Sequence, residues 1–220
     1  MRKSVDTTMS ELELCAICGE RPATTRDHVP PAAIFPKPRP SDLVTVPCCL
    51  PCNNGASPFD ERFGVYLAMH VSRHEPNWES TLGAKVLRTV RHNQRLRREI
   101  LEDAEEVMLR SPSGLHLGRA VKIQWDSEAH DRVVERIIRG LHYHHTGEIV
   151  GASGNVRVHF LDSLEKVGPA FEQFPLHSIG GNQLLYKCIH HPELPLHSVW
   201  VFEFRGWKWS GGAVTPAESS

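Results

Sequence analysis

The stretch CAICGERPATTRDHVPPAAIFPKPRPSDLVTVPCCLPCNN, residues 15–54, decides how the front of the chain folds. It opens on Cys15-x2-Cys18 and closes on Cys49-x2-Cys52, with 30 residues between the pairs. Two such pairs of thiolates suit a tetrahedral Zn2+, each pair held on a tight knuckle. Gly19 permits the turn after the first pair. The segment between the pairs has too few apolar residues to fold unaided, so a structural zinc is expected to supply the missing stability. Cys48 stands beside Cys49, but only Cys49 makes a two-residue gap with Cys52, so Cys48 reads as a small packing residue. The run PPAAIFPKPRPSD, with five prolines, excludes a helix interior or a central strand and predicts an extended loop. Short strands are expected on either side of it, near 23–29 and 43–46.

Working outward, the chain has 220 residues, of which 40% are hydrophobic and 23% charged, enough to build a core and too much to leave it wholly disordered. Lys and Arg total 25 against 26 Asp and Glu, which excludes a globally basic nucleic-acid binder but not a local basic face. No apolar run is long enough to span a bilayer, and the N-terminus MRKSVDTTMSELEL has no apolar signal core. A soluble cytoplasmic protein without membrane partners is expected. The 14 histidines do not by themselves imply metal.

A helix start is written at Ser57-Pro58-Phe59-Asp60, with Ser57 as N-cap, Pro58 in the first position and Asp60 near the positive end. Phe63, Tyr66, Leu67 and Val71 follow at helical spacing. A second helix is predicted over 80–107. A third is predicted over 130–143, burying Val133, Val134, Ile137, Ile138 and Leu141. Alternation then marks strands in HLGRAVKIQW, NVRVHFLD, QLLYKCIHH and HSVWVFEFRGWKWSGG, with turns at 151–154 and 180–182. Cys188, alone in such a pattern, reads as core. The expected fold is α+β: residues 1–12 a leader, 13–75 a zinc-stapled module, 76–212 an α+β domain with an antiparallel sheet, and 213–220 a tail.

Between the cysteine pairs lies Asp27-His28-Val29-Pro30, and Asn53 directly follows Cys52. Together with the two pairs, this set resembles the HNH endonucleases built on a ββα-metal scaffold, over about residues 13–57. The wider stretch is also similar to uncharacterised bacterial HNH-containing proteins. The resemblance implies a hairpin stapled to a helix by zinc, and phosphodiester hydrolysis in DNA, RNA being the other candidate substrate. It makes His28 the general base, and Asp27 and Asn53 the ligands of a catalytic Mg2+ or Mn2+. The chemistry suits these residue types: a neutral imidazole takes a proton from water near pH 7, and a hard cation on oxygen ligands neutralises phosphate. Adjacent strand residues point to opposite faces, so Asp27 and His28 share one site only if the strand bends or ends there, as Pro30 would allow. Where many members carry an asparagine that orients the histidine, this chain has Val44, leaving Ser41, Asp42 or a backbone carbonyl to do so. Ser57 stands where some members carry a second metal-binding histidine, and Asn54 is an alternative to Asn53. The competing expectation is a module that binds nucleic acid or protein without cutting.

Arg88, Arg91, Arg95 and Arg98 recur at three- and four-residue steps in the second predicted helix, with Lys85 and Arg97 beside them. Such a stripe could track a phosphate backbone; the simpler reading is an exposed face paired with Glu99, Glu102 and Glu105. His142-Tyr143-His144-His145 falls at a helix end, where the dipole explains it without a metal. His190-His191, at a strand end before Pro192, is likewise not read as a metal site, and Trp200, Trp207 and Trp209 are read as sheet core.

Overall fold

A computed structural model describes residues 13–71, 83–161, 171–206 and 208–217. The expected leader, the start of the second predicted helix and Trp207 lie outside the described residues. Strands β1 (Thr25–Val29) and β2 (Val44–Cys48) pair antiparallel, placing Asp27 opposite Val46 and His28 opposite Thr45. The proline-rich connection contains only one short 3-10 turn, at Ala32–Ile34. Helix α1 (Leu50–Val71) follows at once. It begins at Leu50 rather than at Ser57, because the second cysteine pair already forms its first turn: the Asn53 amide donates to the Cys49 carbonyl at 3.1 Å. Pro51 is tolerated there because first-turn amides have no helical acceptor. Pro58 sits inside the helix and gives the Asn54 carbonyl no donor. Burial of Phe63, Tyr66 and Leu67 on the helix offsets that loss; the side chain of Val71 lies outside the description.

The second predicted helix divides. Helices α2 (Ala84–His92) and α3 (Gln94–Glu102) meet at Asn93, whose ψ of 86° is not helical. Its side chain accepts from the Leu96 amide at 3.0 Å, which caps α3. The residues after 102 leave the helix and form β3 (Glu105–Arg110), paired with β4 (His116–Lys122) in a separate two-stranded ribbon.

Helix α4 (Ser127–Thr146) matches the third predicted helix and extends it at both ends. Asp126 accepts from the Ala129 amide at its start, and Gly147, at φ 76°, ends it. Val133, Val134, Ile137, Ile138 and Leu141 are all buried, as the spacing predicts. They face an antiparallel sheet of order β5-β9-β8-β7-β6, comprising β5 (Gly154–Leu161), β6 (His177–Ile179), β7 (Leu184–His190), β8 (Ser198–Phe204) and β9 (Lys208–Pro216). Strand β8 buries Ser198, Trp200, Phe202 and Phe204 on its inner side, and Val201 of the other face is buried as well. Strand β9 runs on to Pro216, opposite Gly154, so the expected tail begins later than 213.

The molecule is mixed α and β with antiparallel sheets throughout. Val29, Phe63 and Tyr66 from the front of the chain belong to the same buried cluster as Ile137, Trp200 and Phe204, so one core runs across the expected boundary at 75. Among the described residues no helix is long and apolar enough to cross a membrane. The hairpin sits close on α4: a Cβ on Gly140 would lie 2.5 and 2.9 Å from the methyls of Val29. Gly140→Ala should therefore lower the urea midpoint. Overpacking costs about 1–3 kcal/mol, against roughly 1 kcal/mol gained in helix propensity. Adding Val29→Ala to that variant should recover part of the loss, measurable as coupling in a double-mutant cycle.

Candidate metal centre

The first knuckle is a backbone turn in which the Gly19 amide donates to the Cys15 carbonyl at 2.8 Å, with Gly19 itself at φ 70°. The Ala16 amide donates to the Pro47 carbonyl at 2.9 Å, which ties this knuckle to β2. The second pair opens α1. The Sγ atoms of Cys15, Cys18, Cys49 and Cys52 consequently all lie within 4.8 Å of one another, with Cys18 and Cys49 3.9 Å apart. Zn–S bonds of about 2.3 Å in a tetrahedron put sulfurs about 3.8 Å apart. The donor set fits, and this cluster could hold a metal ion such as zinc. Cys15 and Cys49 are buried while Cys18 and Cys52 are partly exposed. Cys48 is buried beside Cys15 but outside the four-sulfur cluster, and burial pushes its thiol up, which suits a packing residue.

The structure does not gather Asp27, His28 and Asn53 around one point. Strand β1 alternates without a bend, so Asp27 and Val29 face inward while Arg26 and His28 face solvent. Asp27, expected to hold a divalent ion, instead lies 3.1 Å from Arg136 Nε of α4, an ion pair without a hydrogen bond. Arg136 Nη2 also donates to Asp60 Oδ2 of α1 at 2.9 Å. Burial raises the pKa of both carboxyls, and Arg136 pulls each back only in part. Asn53 Nδ2 donates to Thr25 Oγ1 at 3.2 Å and to the Arg26 carbonyl at 3.3 Å, so this side chain splices the first turn of α1 onto β1. Of the residues suggested to orient His28, Asp42 is engaged elsewhere, both its oxygens accepting from the Gly180 amide. Ser57 lies within α1 and lines a cavity of about 430 Å3 with Asp60, Glu61, Lys85 and Arg88.

The arginine stripe is not continuous. Arg88 and Arg91 stand on α2 and Arg95 and Arg98 on α3, with the Asn93 break between the two pairs. All four are exposed, and Arg95 pairs with Glu99 at 2.9 Å. Three residues escape motif reading. Arg136 and Asp60 form the buried ion cluster, and Arg26 shares the outer face of β1 with His28. Arg136 is detectable in principle, since it stands three residues after Val133, on the stripe that α4 buries. Comparisons of the chain with protein-family models, with curated proteins and with solved structures return no match.

Two outcomes follow from this geometry. Cys18→Ser or Cys52→Ser should each lower the zinc content of the purified chain by one ion and lower the melting temperature, read by elemental analysis and calorimetry. Arg136→Met should cost about 3–5 kcal/mol at neutral pH, because it leaves two buried carboxylates unpaired. Each carboxyl has a folded pKa above its unfolded value, so its contribution to stability falls as pH rises through that interval. Removing Arg136 raises the folded values further, and the penalty should therefore be smaller at pH 5 than at pH 7.5 in urea titrations.

Proposed function

We propose that the chain is a zinc-stapled, HNH-type endonuclease that hydrolyses phosphodiester bonds in DNA, with His28 as the general base. One observation carries this reading: His28 is exposed on a hairpin that the clustered thiols fasten to the helix turn bearing Asn53. The order hairpin, cysteine pair, helix is what the resemblance to the HNH enzymes calls for. A neutral imidazole at that position can take a proton from water as the oxygen attacks phosphorus. The P–O3′ bond then breaks, and the leaving oxygen takes a proton from solvent. Arg26 lies two residues earlier on the same exposed face and holds Thr45, the residue opposite His28, through its Nε and Nη2. On this reading its guanidinium would also meet the phosphate that His28 serves.

The resemblance also calls for Mg2+ or Mn2+ on Asp27 and Asn53. Those donors do not fit as they stand, because the Asp27 carboxylate is engaged by Arg136 on the opposite face from His28. The same ion pair favours a second reading, a zinc-stapled module that binds nucleic acid without cutting it.

Plasmid nicking with Mg2+ or Mn2+ separates the two. The nuclease reading expects cleavage by the wild-type chain and a loss of about 10²–10⁴-fold in His28→Ala, with DNA binding in gel-shift assays unchanged. Retained binding with no nicking by the wild type would favour the second reading, and equal nicking by His28→Ala would remove the general-base role.

A further inference from the structure

At the far end of α4 the fold assembles a second set of metal-type donors that sequence spacing could not connect. His145 stands on the last turn of α4, His177 opens the edge strand β6, and Cys188 lies in β7. One donor atom from each falls within 4.8 Å of the other two. The juxtaposition follows from the topology. Register sets His177 opposite Tyr186, and Cys188, two residues on, shares the Tyr186 face of β7.

Tyr186 orients both imidazoles. Its ring stacks on His177 at 4.8 Å and 16°, and its hydroxyl lies 3.0 Å from His145 Nε2, which leaves His145 Nδ1 for a ligand. A ring nitrogen held in this way, with the other directed at a metal, is the usual arrangement of ligating histidines. His190 closes one wall: its ring centroid is 5.8 Å from that of His145, and both its nitrogens are buried without a hydrogen-bond partner.

We propose that His145, His177 and Cys188 bind a transition-metal ion, Zn2+ by preference, in a three-ligand site whose fourth position is open to solvent. One thiolate with two imidazoles is a borderline-soft donor set, which suits Zn2+ and disfavours Mg2+ or Ca2+. His145 is exposed, and His177 and Cys188 are partly so, which gives solvent its route to the ion. A bound ion would tie the C-terminal end of α4 to β6, a strand of only three residues whose one neighbour in the sheet is β7.

The test is the metal content of the tag-free full chain purified from zinc-supplemented medium. Cys188→Ser should carry one zinc ion per chain fewer than the wild type. His177→Gln, a change on the partly exposed edge strand, should show the same fall, and circular dichroism establishes that both variants are folded. Chain produced in cobalt medium should also lose a thiolate-to-cobalt absorption band in Cys188→Ser while keeping the bands of the Cys15/Cys18/Cys49/Cys52 cluster. If both variants hold as many ions as the wild type, the site does not exist. The comparison does not depend on whether the front of the chain cleaves DNA.

Discussion

Four sulfurs packed within 4.8 Å of one another impose the constraint from which the front of this protein is built. Without a cation they cannot all ionise. Burial and neighbouring thiols push Cys52 well above its ordinary value. A divalent ion such as zinc would remove that conflict and make the cluster cohesive. The consequence is mechanical. The first knuckle is fixed to β2 through the Ala16 amide, and the second is the first turn of α1. The hairpin and the helix therefore share one anchor, and a loop containing five prolines between 30 and 40 needs no regular structure of its own.

A second anchor acts on the other side of the hairpin. Arg136 reaches from α4 to Asp27 on β1 and Asp60 on α1, so three elements meet at one buried guanidinium. The alternation of β1 forces a choice: a residue directed at Arg136 cannot also face the solvent side with His28. In this chain Asp27 serves cohesion, and on the proposed reading the chemistry of the exposed face would fall to His28 and its neighbour Arg26. The orientation of the exposed His28 then rests on how well the hairpin is held from its inner face.

Much of this was legible in local pattern. The cysteine spacing brought the sulfurs together, the apolar stripe Val133 to Leu141 became the buried side of α4, and the alternation in 198–204 became the innermost face of the sheet. These are short-range signals, each within one element or one repeated spacing. What was not legible depended on competition or on distance. Ser57-Pro58 carries good start chemistry, but the helix already runs from Leu50, with the second cysteine pair in its first turn. Asn93 looked like one polar residue in a helical run, yet its side chain offered the Leu96 amide a cap and split the run in two. The pairing of Asp27 with Arg136 spans 109 positions, and the meeting of His145, His177 and Cys188 is set by strand register. No spacing rule encodes either contact.

Helix α4 links these devices because its buried side is not uniformly apolar. His130 Nε2 lies 2.7 Å from Ser210 Oγ on β9, Arg136 holds the two carboxylates, and His142 Nδ1 lies 3.1 Å from Ser198 Oγ on β8. An apolar stripe alone tolerates sliding, since one methyl replaces another at little cost. Polar groups buried along the same stripe do not, because a slip of one turn would leave each of them without its partner. Contacts to β9, β1, α1 and β8 thus fix the helix against the sheet and against the hairpin in a single register. The position of His28 at the front of the molecule and that of His145 at the end of α4 are, in this sense, set by the same polar side chains, although neither histidine touches the other's site.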